Sequence, residues 1–275
     1  MPTTHFALPS LRLTALGLAA LMASGCSNTP VSTSASCDSV DYTIHDPAQS
    51  VNRGIFAFNR TVDDYAVAPV ARGYRHLPDF FQAGVHNFVA NFGEPKVFIN
   101  DLLQGNGQRS INTLGRFVIN TTVGVAGLID VSGKLGIERH KADFGQTFGV
   151  WRIADGPIVE LPLLGTANLR DATGKLLSFA VDPFGDNSDT VDTLSTINTV
   201  GGVVDGRARL LPLTDALRQQ PDYYAALRDA TAQKRADFVE EGRSGALMQG
   251  GSACDSAGAD QNDSGAYAGN NPAAR

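Results

Sequence analysis

One acidic stretch is the first candidate for chemistry in this chain. The segment "DPFGDNSDT" places Asp182, Asp186 and Asp189 close together, and clustered carboxylates are the ligands that calcium prefers. A calcium loop of the common kind also needs a glycine at its sixth position and a glutamate at its twelfth. Both are missing here, so we interpret the stretch as a solvated loop and predict no metal site.

The histidines and cysteines do not form a recognisable catalytic or metal-binding pattern. No two histidines are four residues apart, and the chain contains no C-x-x-C, G-x-S-x-G, Walker or G-x-G-x-x-G motif. His140 lies three residues before Asp143, and we interpret that pair as a surface contact rather than a catalytic dyad. The sequence therefore predicts a protein that is not an enzyme.

Cys26 is the one side chain with a specific chemical prediction. Arg12 precedes an apolar run from Leu13 to Met22, which is typical of a secretory signal peptide and too short for a membrane span. The junction "ASGC" (23–26) resembles a lipobox, in which the cysteine thiol receives diacylglycerol and a further acyl chain. Ser27 favours sorting to the outer membrane. An ordinary cleaved signal with a chance cysteine is the alternative, and no other cofactor is predicted.

Charge and composition divide the remaining chain into three parts. The net charge of −6 and the scattered Lys and Arg residues exclude a nucleic-acid-binding surface. Residues 26–45 are rich in Ser, Thr and Pro and predict a flexible tether after the signal peptide 1–25. Residues 243–275 have few apolar side chains and predict a disordered tail, so the domain is expected at 46–242. Whether Cys37 and Cys254, one in each flanking segment, form a disulfide is left open.

The pattern of the domain predicts an all-α fold with several helices. Asp46 is expected to cap the first helix, with Gln49 completing a capping box, and Pro69 is expected to end it. Further helices are predicted after Pro78, from Pro95, over roughly 110–125, and around 168–180, 190–209 and 221–241. Along the first helix an apolar face recurs at helical spacing, formed by Val51, Ile55, Phe58, Val62 and Tyr65. The segment "GPIVELPLLG" (156–165) predicts an extended stretch.

The segment "RFVINTTVGVAGLID" (116–130) carries charge only at its ends. At about 1.5 Å rise per residue it would span roughly 22 Å as a helix, which is short of the roughly 30 Å hydrocarbon core of a bilayer. We therefore exclude a full membrane span. Insertion into one leaflet, a wall that contacts lipid, and plain core packing remain as alternatives for this segment.

Three segments together resemble the VacJ/MlaA lipoprotein family. "DPAQSVNRGIFAFN" (46–59) resembles the family's D-P-x-E-x-x-N-R-x-x-F-x-F-N pattern. "NDLLQG" and "RFVINTTVGVAGLID" (100–130) resemble its N-x-L-L-Q-G and R-F-x-x-N-T-x-x-G-x-x-G-x-x-D patterns. "DFGQTFGVWRIADGPIVELPLLGTANLRD" (143–171) resembles its F-G-x-T-x-G, G-P-Y-x-x-L-P and R-D run. Arg152 and Ile158 stand where the family commonly has Gly and Tyr.

The resemblance implies a single ring-like, multi-helix domain in the inner leaflet of the outer membrane, facing the periplasm. Such proteins are expected to remove mislocalised phospholipid from the outer leaflet and to pass it through an amphipathic channel to a soluble periplasmic carrier. The expected partners are phospholipid, a trimeric porin and that carrier. We expect the lipid path at Phe56, Asn59, Phe117, Asn120, Thr121, Val123, Gly124, Gly127 and Leu128. For Arg53, structural pairing is favoured over contact with a head group.

Two other functions remain open at the level of sequence. A lipoprotein phospholipase or lipase would use the same apolar surfaces and would release fatty acid. A structural or adhesion lipoprotein would bind no lipid inside the domain.

Overall fold

A computed structural model describes residues 44–181 and 189–245. Cys26, Cys37, Cys254, Asp182 and Asp186 therefore lie outside the described residues. The same holds for the predicted signal peptide, for nearly all of the tether and for most of the tail. All described residues belong to one compact unit that begins at Asp38.

The first helical run continues through Pro69. Helix α1 covers Gln49–Val62, a π-helical turn covers Asp63–Val67, and α2 covers Ala68–Tyr74. A proline ring in an α-helix clashes with the carbonyl four residues before it. The π-helical turn widens the backbone directly before Pro69, with the Ala68 amide bonded to the Asp63 carbonyl. The prediction that Pro69 ends the run was therefore wrong.

Asp46 does not cap α1 as predicted. Ala48 occupies the cap position and no side chain bonds the first turn, so Gln49 forms no capping box. The Asp46 carboxylate instead accepts hydrogen bonds from Asn52 Nδ2 at 2.8 Å and from the Tyr224 hydroxyl at 2.7 Å. A long-range polar contact has replaced the local one.

The two helices predicted after Pro78 and from Pro95 form one continuous helix. Helix α3 covers Asp79–Leu103 and contains Pro95 in its interior. Asn91, Glu94, Asn100 and Asp101 are buried on both sides of that proline. From both halves of α3, three of these residues bond side chains of the segment Gly107–Thr122, through Thr121, Arg116 and Thr113. Tertiary packing thus outweighs the local cost of the proline, which is about 3 kcal/mol in a helix interior.

The remaining elements follow the predicted order. They are α4 at Gly107–Thr122, α5 at Val131–Lys134, α6 at Phe144–Val150, β1 at Ile158–Leu161, β2 at Gly165–Asn168, α7 at Leu169–Ala180, α8 at Asp189–Leu217 and α9 at Tyr223–Ser244. The strands form an antiparallel hairpin in which Ile158 pairs with Asn168 and Leu161 with Gly165. Side chains of Asn106, Asp143, Asn168 and Asp222 cap the helices that follow them.

The all-α prediction is confirmed, with the hairpin as a small addition. The compact apolar core lies between α2 and α8, where Ala68, Ala71, Ala208 and Leu211 pack together against Tyr74. Within residues 44–181 and 189–245 no helix is both long and apolar enough to cross a membrane.

Candidate functional site: an amphipathic cavity

The interior of the domain is polar to an unusual degree. Leu211 is the one large aliphatic residue among the largest fully buried side chains of the described residues, and the others are polar or charged. They include Arg109, Arg116, Gln146, Glu94, Asn100 and Asn120. Buried charges require partners, so the arrangement of those partners determines which surfaces face one another.

Arg116 is the centre of the first buried network. Its guanidinium donates to Glu94 Oε1 of α3 at 3.4 Å, to Asp130 Oδ1 at 2.8 Å and to the Ile137 carbonyl. Burial raises the pKa of Glu94, and the positive charge of Arg116 opposes that shift without cancelling it. Burial alone would also raise the pKa of Asp130, but hydrogen bonds from the Gly133 amide and from Arg116 outweigh it and lower that pKa.

His140 belongs to a second buried network, so the predicted surface contact with Asp143 was wrong. His140 Nε2 lies 2.9 Å from Asp101 Oδ2 and 3.2 Å from Thr113 Oγ1, and all three side chains are buried. In a catalytic relay the acid binds one ring nitrogen and the hydroxyl binds the other. Here both contact the same nitrogen, and the Thr113 hydroxyl donates to Asp101 at 2.7 Å. The geometry of this cluster is therefore that of a structural contact and not that of a catalytic relay.

Arg235 of α9 joins three elements. It donates to Asp143, which caps α6, and to Asp171 of α7, with all four contacts between 2.8 and 3.1 Å. Burial alone would raise the pKa of Asp143, but the bonds from Arg235 prevail and lower it. Two carboxylates thus hold one guanidinium in a fixed orientation.

The outer surface shows the opposite chemistry. Ile111, Leu114 and Val118 recur along α4 and are exposed, with Ile111 at 70%. Along α1 and the π-helical turn, the apolar face predicted from its spacing points largely outward. Val51, Phe58 and Tyr65 are exposed and Ile55 and Val62 are half-buried, whereas Asn52 is buried. In water an apolar helix face packs inward. Polar side chains inside and apolar ones outside are the arrangement expected where lipid replaces water as the surrounding solvent.

A cavity of about 610 Å³, called the main cavity below, lies between α3, α8, α9 and residues 139–143. Its volume falls within the roughly 300–1,000 Å³ of ordinary ligand sites. Its wall is mainly apolar and includes Val97, Leu210, Leu213, Leu227 and Phe238. Charged side chains complete it, namely Glu94, Lys96, Arg139, Lys141, Asp143, Lys234 and Arg235. One space therefore offers both chemistries that an amphipathic ligand needs.

Five residues of the main cavity also line a second one. Arg139, His140, Lys141, Lys234 and Phe238 contribute to a neighbouring cavity of about 430 Å³ as well. They consequently form a wall that the two cavities share, and we call its basic part, Arg139, Lys141 and Lys234, the cationic wall. Burial, followed by the charges of Lys234 and Arg139, lowers the pKa of Lys141. Burial and the nearby charge of Arg116 lower the pKa of Arg139.

The predicted lipid-path segment 116–130 packs against α3 and does not line the main cavity. Helix α4 ends at Thr122, and Val125, Ala126 and Gly127 follow with positive φ angles of 53°, 55° and 89°. Gly124 and Gly127 are required by close contact, because an added Cβ would come within 2.2 Å of the Ile129 carbonyl oxygen and 2.6 Å of Asn91, respectively. The first half of the segment, to Thr122, is therefore the end of α4, and the second half is a tight turn.

The individual side chains of this segment face different surroundings. Asn120 is buried and bonds Asp130 and Ser132, and Phe117 is half-buried. Thr121 is exposed and accepts a bond from Asn91 at 3.0 Å. Val123 and Leu128 are exposed, and Leu128 lines a separate apolar groove with Val85, Phe88, Ile197 and Val200. A role for these residues on a lipid path stays a prediction.

Phe56 and Asn59 lie apart from that segment. Phe56 contacts the rings of Tyr223 and Tyr224 edge-on at 5.3 and 5.4 Å. Asn59 donates to Glu160 Oε1 at 2.8 Å and to the Leu161 carbonyl at 2.9 Å, so it attaches α1 to the hairpin. Their lipid-path role also stays a prediction.

Arg53 pairs structurally with Asp222, as the sequence favoured, through two contacts of 3.0 and 2.5 Å.

Sequence reasoning missed the residues of the cationic wall. The run "ERHK" (138–141) was a usable signal, since it is a dense group of charged and titratable side chains in a chain whose basic residues are otherwise scattered. No sequence signal indicated that this run lies near Lys234, because the two are far apart in sequence and only the packing of α9 brings them together.

The sequence pattern of the MlaA lipoprotein family matches residues 44–237, which carry both buried networks and, apart from Phe238, the lining of the main cavity. The chain belongs to the MlaA lipoprotein family. The intermembrane phospholipid transport system lipoprotein MlaA of Escherichia coli K12 is 33% identical over 244 residues, covering 84% of this chain and 90% of that protein. The Haemophilus influenzae protein of the same name is 30% identical over 215 residues, covering 72% and 81%.

Two further comparisons agree with this MlaA membership. An uncharacterized protein of Rickettsia bellii is 34% identical over 200 residues, covering 72% of this chain and 78% of that protein. A chain solved in a study of the structural basis for maintenance of bacterial outer membrane lipid asymmetry matches with a TM-score of 0.61 at 32% identity. That match covers 70% of this chain and 98% of the solved one.

One departure from the MlaA sequence pattern has a structural explanation. Arg152 has a φ of 64°, a left-handed conformation that glycine adopts at little cost and other residues at about 1–2 kcal/mol. A glycine at this position would adopt the same conformation without that cost.

Proposed function

We propose that this MlaA-family protein transports phospholipid between membranes and maintains the lipid asymmetry of the outer membrane. The observation that carries the proposal is the reversed polarity of the domain together with its amphipathic main cavity. A phospholipid has a charged head group and two apolar tails, so its path needs charged and apolar walls side by side. The wall of the main cavity includes both the charged Lys141 and Lys234 and the apolar Leu210 and Leu227.

The proposed location is the inner leaflet of the outer membrane, on the periplasmic side. Acyl chains on Cys26 would anchor the chain there, and the exposed apolar residues of α1 and α4 would contact the hydrocarbon. The relatives named MlaA belong to an intermembrane phospholipid transport system, which supports this placement. An apolar outer face around a polar interior is stable in a lipid leaflet and poorly matched to water.

The proposed sequence of events uses no covalent step. Phospholipid misplaced in the outer leaflet would enter an amphipathic channel that includes the main cavity and would leave to a soluble periplasmic carrier. A trimeric porin is the proposed membrane partner. These partners follow from the family resemblance, and no catalytic role is proposed for any side chain.

Mass spectrometry of lipids retained by the purified full-length chain tests the proposal directly. We expect intact phospholipid in wild type and much less in Ala230→Trp, because Ala230 lines the main cavity and a Trp side chain would fill it. Gln233→Trp is the matched control, since Gln233 lies on the same helix and is exposed. Absence of bound lipid in wild type would favour a structural or adhesion lipoprotein.

A deletion strain tests the function in cells. We expect phospholipid to accumulate in the outer leaflet and detergent resistance to fall, with wild type restoring both and Ala230→Trp restoring neither. Release of fatty acid from labelled phospholipid by the purified chain would instead favour the phospholipase alternative. Unchanged outer-leaflet phospholipid in the deletion strain would contradict the proposal.

A further inference from the structure

The charge of the main cavity is opposite to that of the chain. The chain has a net charge of −6, yet basic side chains outnumber carboxylates around the main cavity. The basic ones are Lys96, Arg139, Lys141, Lys234 and Arg235, and the carboxylates are Glu94 and Asp143. Lys141 and Lys234 are exposed at this cavity, and a concentration of positive charge around one cavity of an acidic protein attracts anions to that place.

Around the main cavity, the positive charge left without an ion pair or hydrogen bond within residues 44–181 and 189–245 is that of Lys141 and Lys234, because Arg139 lies within 3.5 Å of Glu94 and 3.6 Å of Asp130. Arg235 is neutralised by Asp143 and Asp171, and Lys96 donates to the Ser178 carbonyl at 2.7 Å. Among the residues that the structure describes, neither Lys141 nor Lys234 forms an ion pair or donates a side-chain hydrogen bond. Two like charges without a counterion are unfavourable unless an anion joins them.

Arg139 contributes donors that its ion pairs hold only loosely. Its Nε lies 3.5 Å from Glu94 and one terminal nitrogen lies 3.6 Å from Asp130, and neither of these two buried nitrogens makes a hydrogen bond of good geometry in the described part of the chain. A buried donor without an acceptor is unfavourable. Phosphate oxygens accept well from a guanidinium and from ammonium groups.

From these observations we propose that Arg139, Lys141 and Lys234 bind the phosphate of a phospholipid head group and favour head groups of net negative charge over zwitterionic ones. The proposal rests on the proposed function, because it takes the occupant of the main cavity to be a phospholipid. Tails lying along Leu210, Leu227 and Phe238 bring the phosphate to the cationic wall. A zwitterionic head group brings its own ammonium to the same wall and is repelled, whereas a phosphatidylglycerol head group is not.

The test measures binding of short-chain lipids to the full-length chain in non-ionic micelles by calorimetry. The probes are dihexanoyl phosphatidylglycerol, dihexanoyl phosphatidylcholine and inorganic phosphate. For wild type we expect phosphatidylglycerol to bind about tenfold more tightly than phosphatidylcholine, and phosphate alone to bind much more weakly. Lys141→Gln combined with Lys234→Gln is expected to reduce that preference to about twofold or less.

Two controls separate charge at the wall from charge in general and from folding. Arg75→Gln with Lys134→Gln removes the same formal charge from exposed positions outside both cavities and is expected to keep the preference. The Lys141→Arg, Lys234→Arg double variant keeps the positive charge, and we expect it to keep the preference for phosphatidylglycerol as well. Thermal unfolding in the same micelles verifies the fold, and the single Lys234→Gln variant, with an expected loss of about threefold, replaces the double variant if that one unfolds.

Each other outcome has a definite meaning. Equal binding of both lipids by wild type overturns the head-group proposal and leaves phospholipid transport in place. Inorganic phosphate binding as tightly as phosphatidylglycerol assigns the cationic wall to a free anion and overturns the lipid proposal. If wild type binds no lipid, the proposed function fails as well.

Discussion

Two helix contacts in this domain are built on opposite principles. Between α2 and α8, alanines and Leu211 pack together, as in a protein that folds in water. Between α3 and α4 the buried side chains are Glu94, Arg116 and their polar neighbours, while the exposed face of α4 is apolar. The hydrophobic effect can hold the first contact but contributes little to the second. The second depends on paired charges, and its outer face matches a lipid environment.

Removing Arg116 should produce the largest loss and tests the polar contact. Arg116→Ala leaves Glu94 and Asp130 with Arg139 as their remaining guanidinium, and breaking a buried pair in this way costs about 3–5 kcal/mol of unfolding free energy. Chemical unfolding in micelles measures it. Arg72→Ala is the control, because the Arg72–Asp215 pair is half exposed and should contribute less than about 1 kcal/mol. A loss below about 1 kcal/mol for Arg116→Ala would mean that Arg139 alone neutralises both carboxylates.

Leu211→Ala probes the apolar contact and should cost about 2–4 kcal/mol, since it leaves a cavity at a fully buried site. Leu213→Ala is the matched control on the same helix, where the side chain is half exposed and the expected loss is below about 1 kcal/mol. Equal losses at both positions, measured by the same unfolding assay, would show that α8 has no distinct apolar core.

Dependence on pH should separate the two contacts further. Burial raises the folded-state pKa of Glu94 above the ordinary 4.5, so the folded chain binds this proton more tightly than the unfolded chain does. Ionisation of Glu94 therefore lowers the free energy of unfolding as pH rises from the pKa of this carboxyl in the unfolded chain through its pKa in the folded chain. We expect Glu94→Gln to gain stability relative to wild type over that window, while the loss in Leu211→Ala stays constant. Unfolding curves between about pH 4 and pH 8 provide the measurement, and a Glu94→Gln difference that falls with pH would contradict the assigned direction.

The smallest expected change in stability concerns the outer face of α4. Val118→Asn alters an exposed side chain, so unfolding in micelles should change by less than about 0.5 kcal/mol. Binding to phospholipid vesicles should nevertheless weaken by about tenfold, because an apolar contact with lipid is lost. Gln108→Asn, on the same helix and already polar, is the control. If vesicle binding does not change, α4 does not face the bilayer.

The comparison also shows what the sequence could and could not predict. Periodicity and caps located α7 and α9 to within a few residues, because those signals are local. Pro69 was taken as the end of one helix and Pro95 as the start of another, but a π-helical turn and buried contacts keep the helical runs continuous through both. The apolar face of α1 was identified correctly. Its outward direction was not, since spacing defines a face but does not say which solvent the face meets.

The candidate site was less predictable for a related reason. The segment 116–130 was chosen because its composition is unusual, and the structure shows that its glycines serve a tight turn. The cationic wall depends on Lys234 reaching residues 139–141 across the packing of α9. No local pattern encodes that approach.

The position of Arg235 has a consequence for the order in which the chain can fold. Its two carboxylate partners, Asp143 and Asp171, precede it by 92 and 64 residues. During synthesis α6 and α7 are therefore complete before the cation that neutralises both of them exists. Closing the interior before then would leave Asp143 without its guanidinium and Asp171 with Arg170 alone, which is unfavourable, and contacts between distant segments form slowly. We expect the final tertiary structure to form late and in one step, once α9 is available, and a chain that stops before Tyr223 to keep helices without a fixed interior.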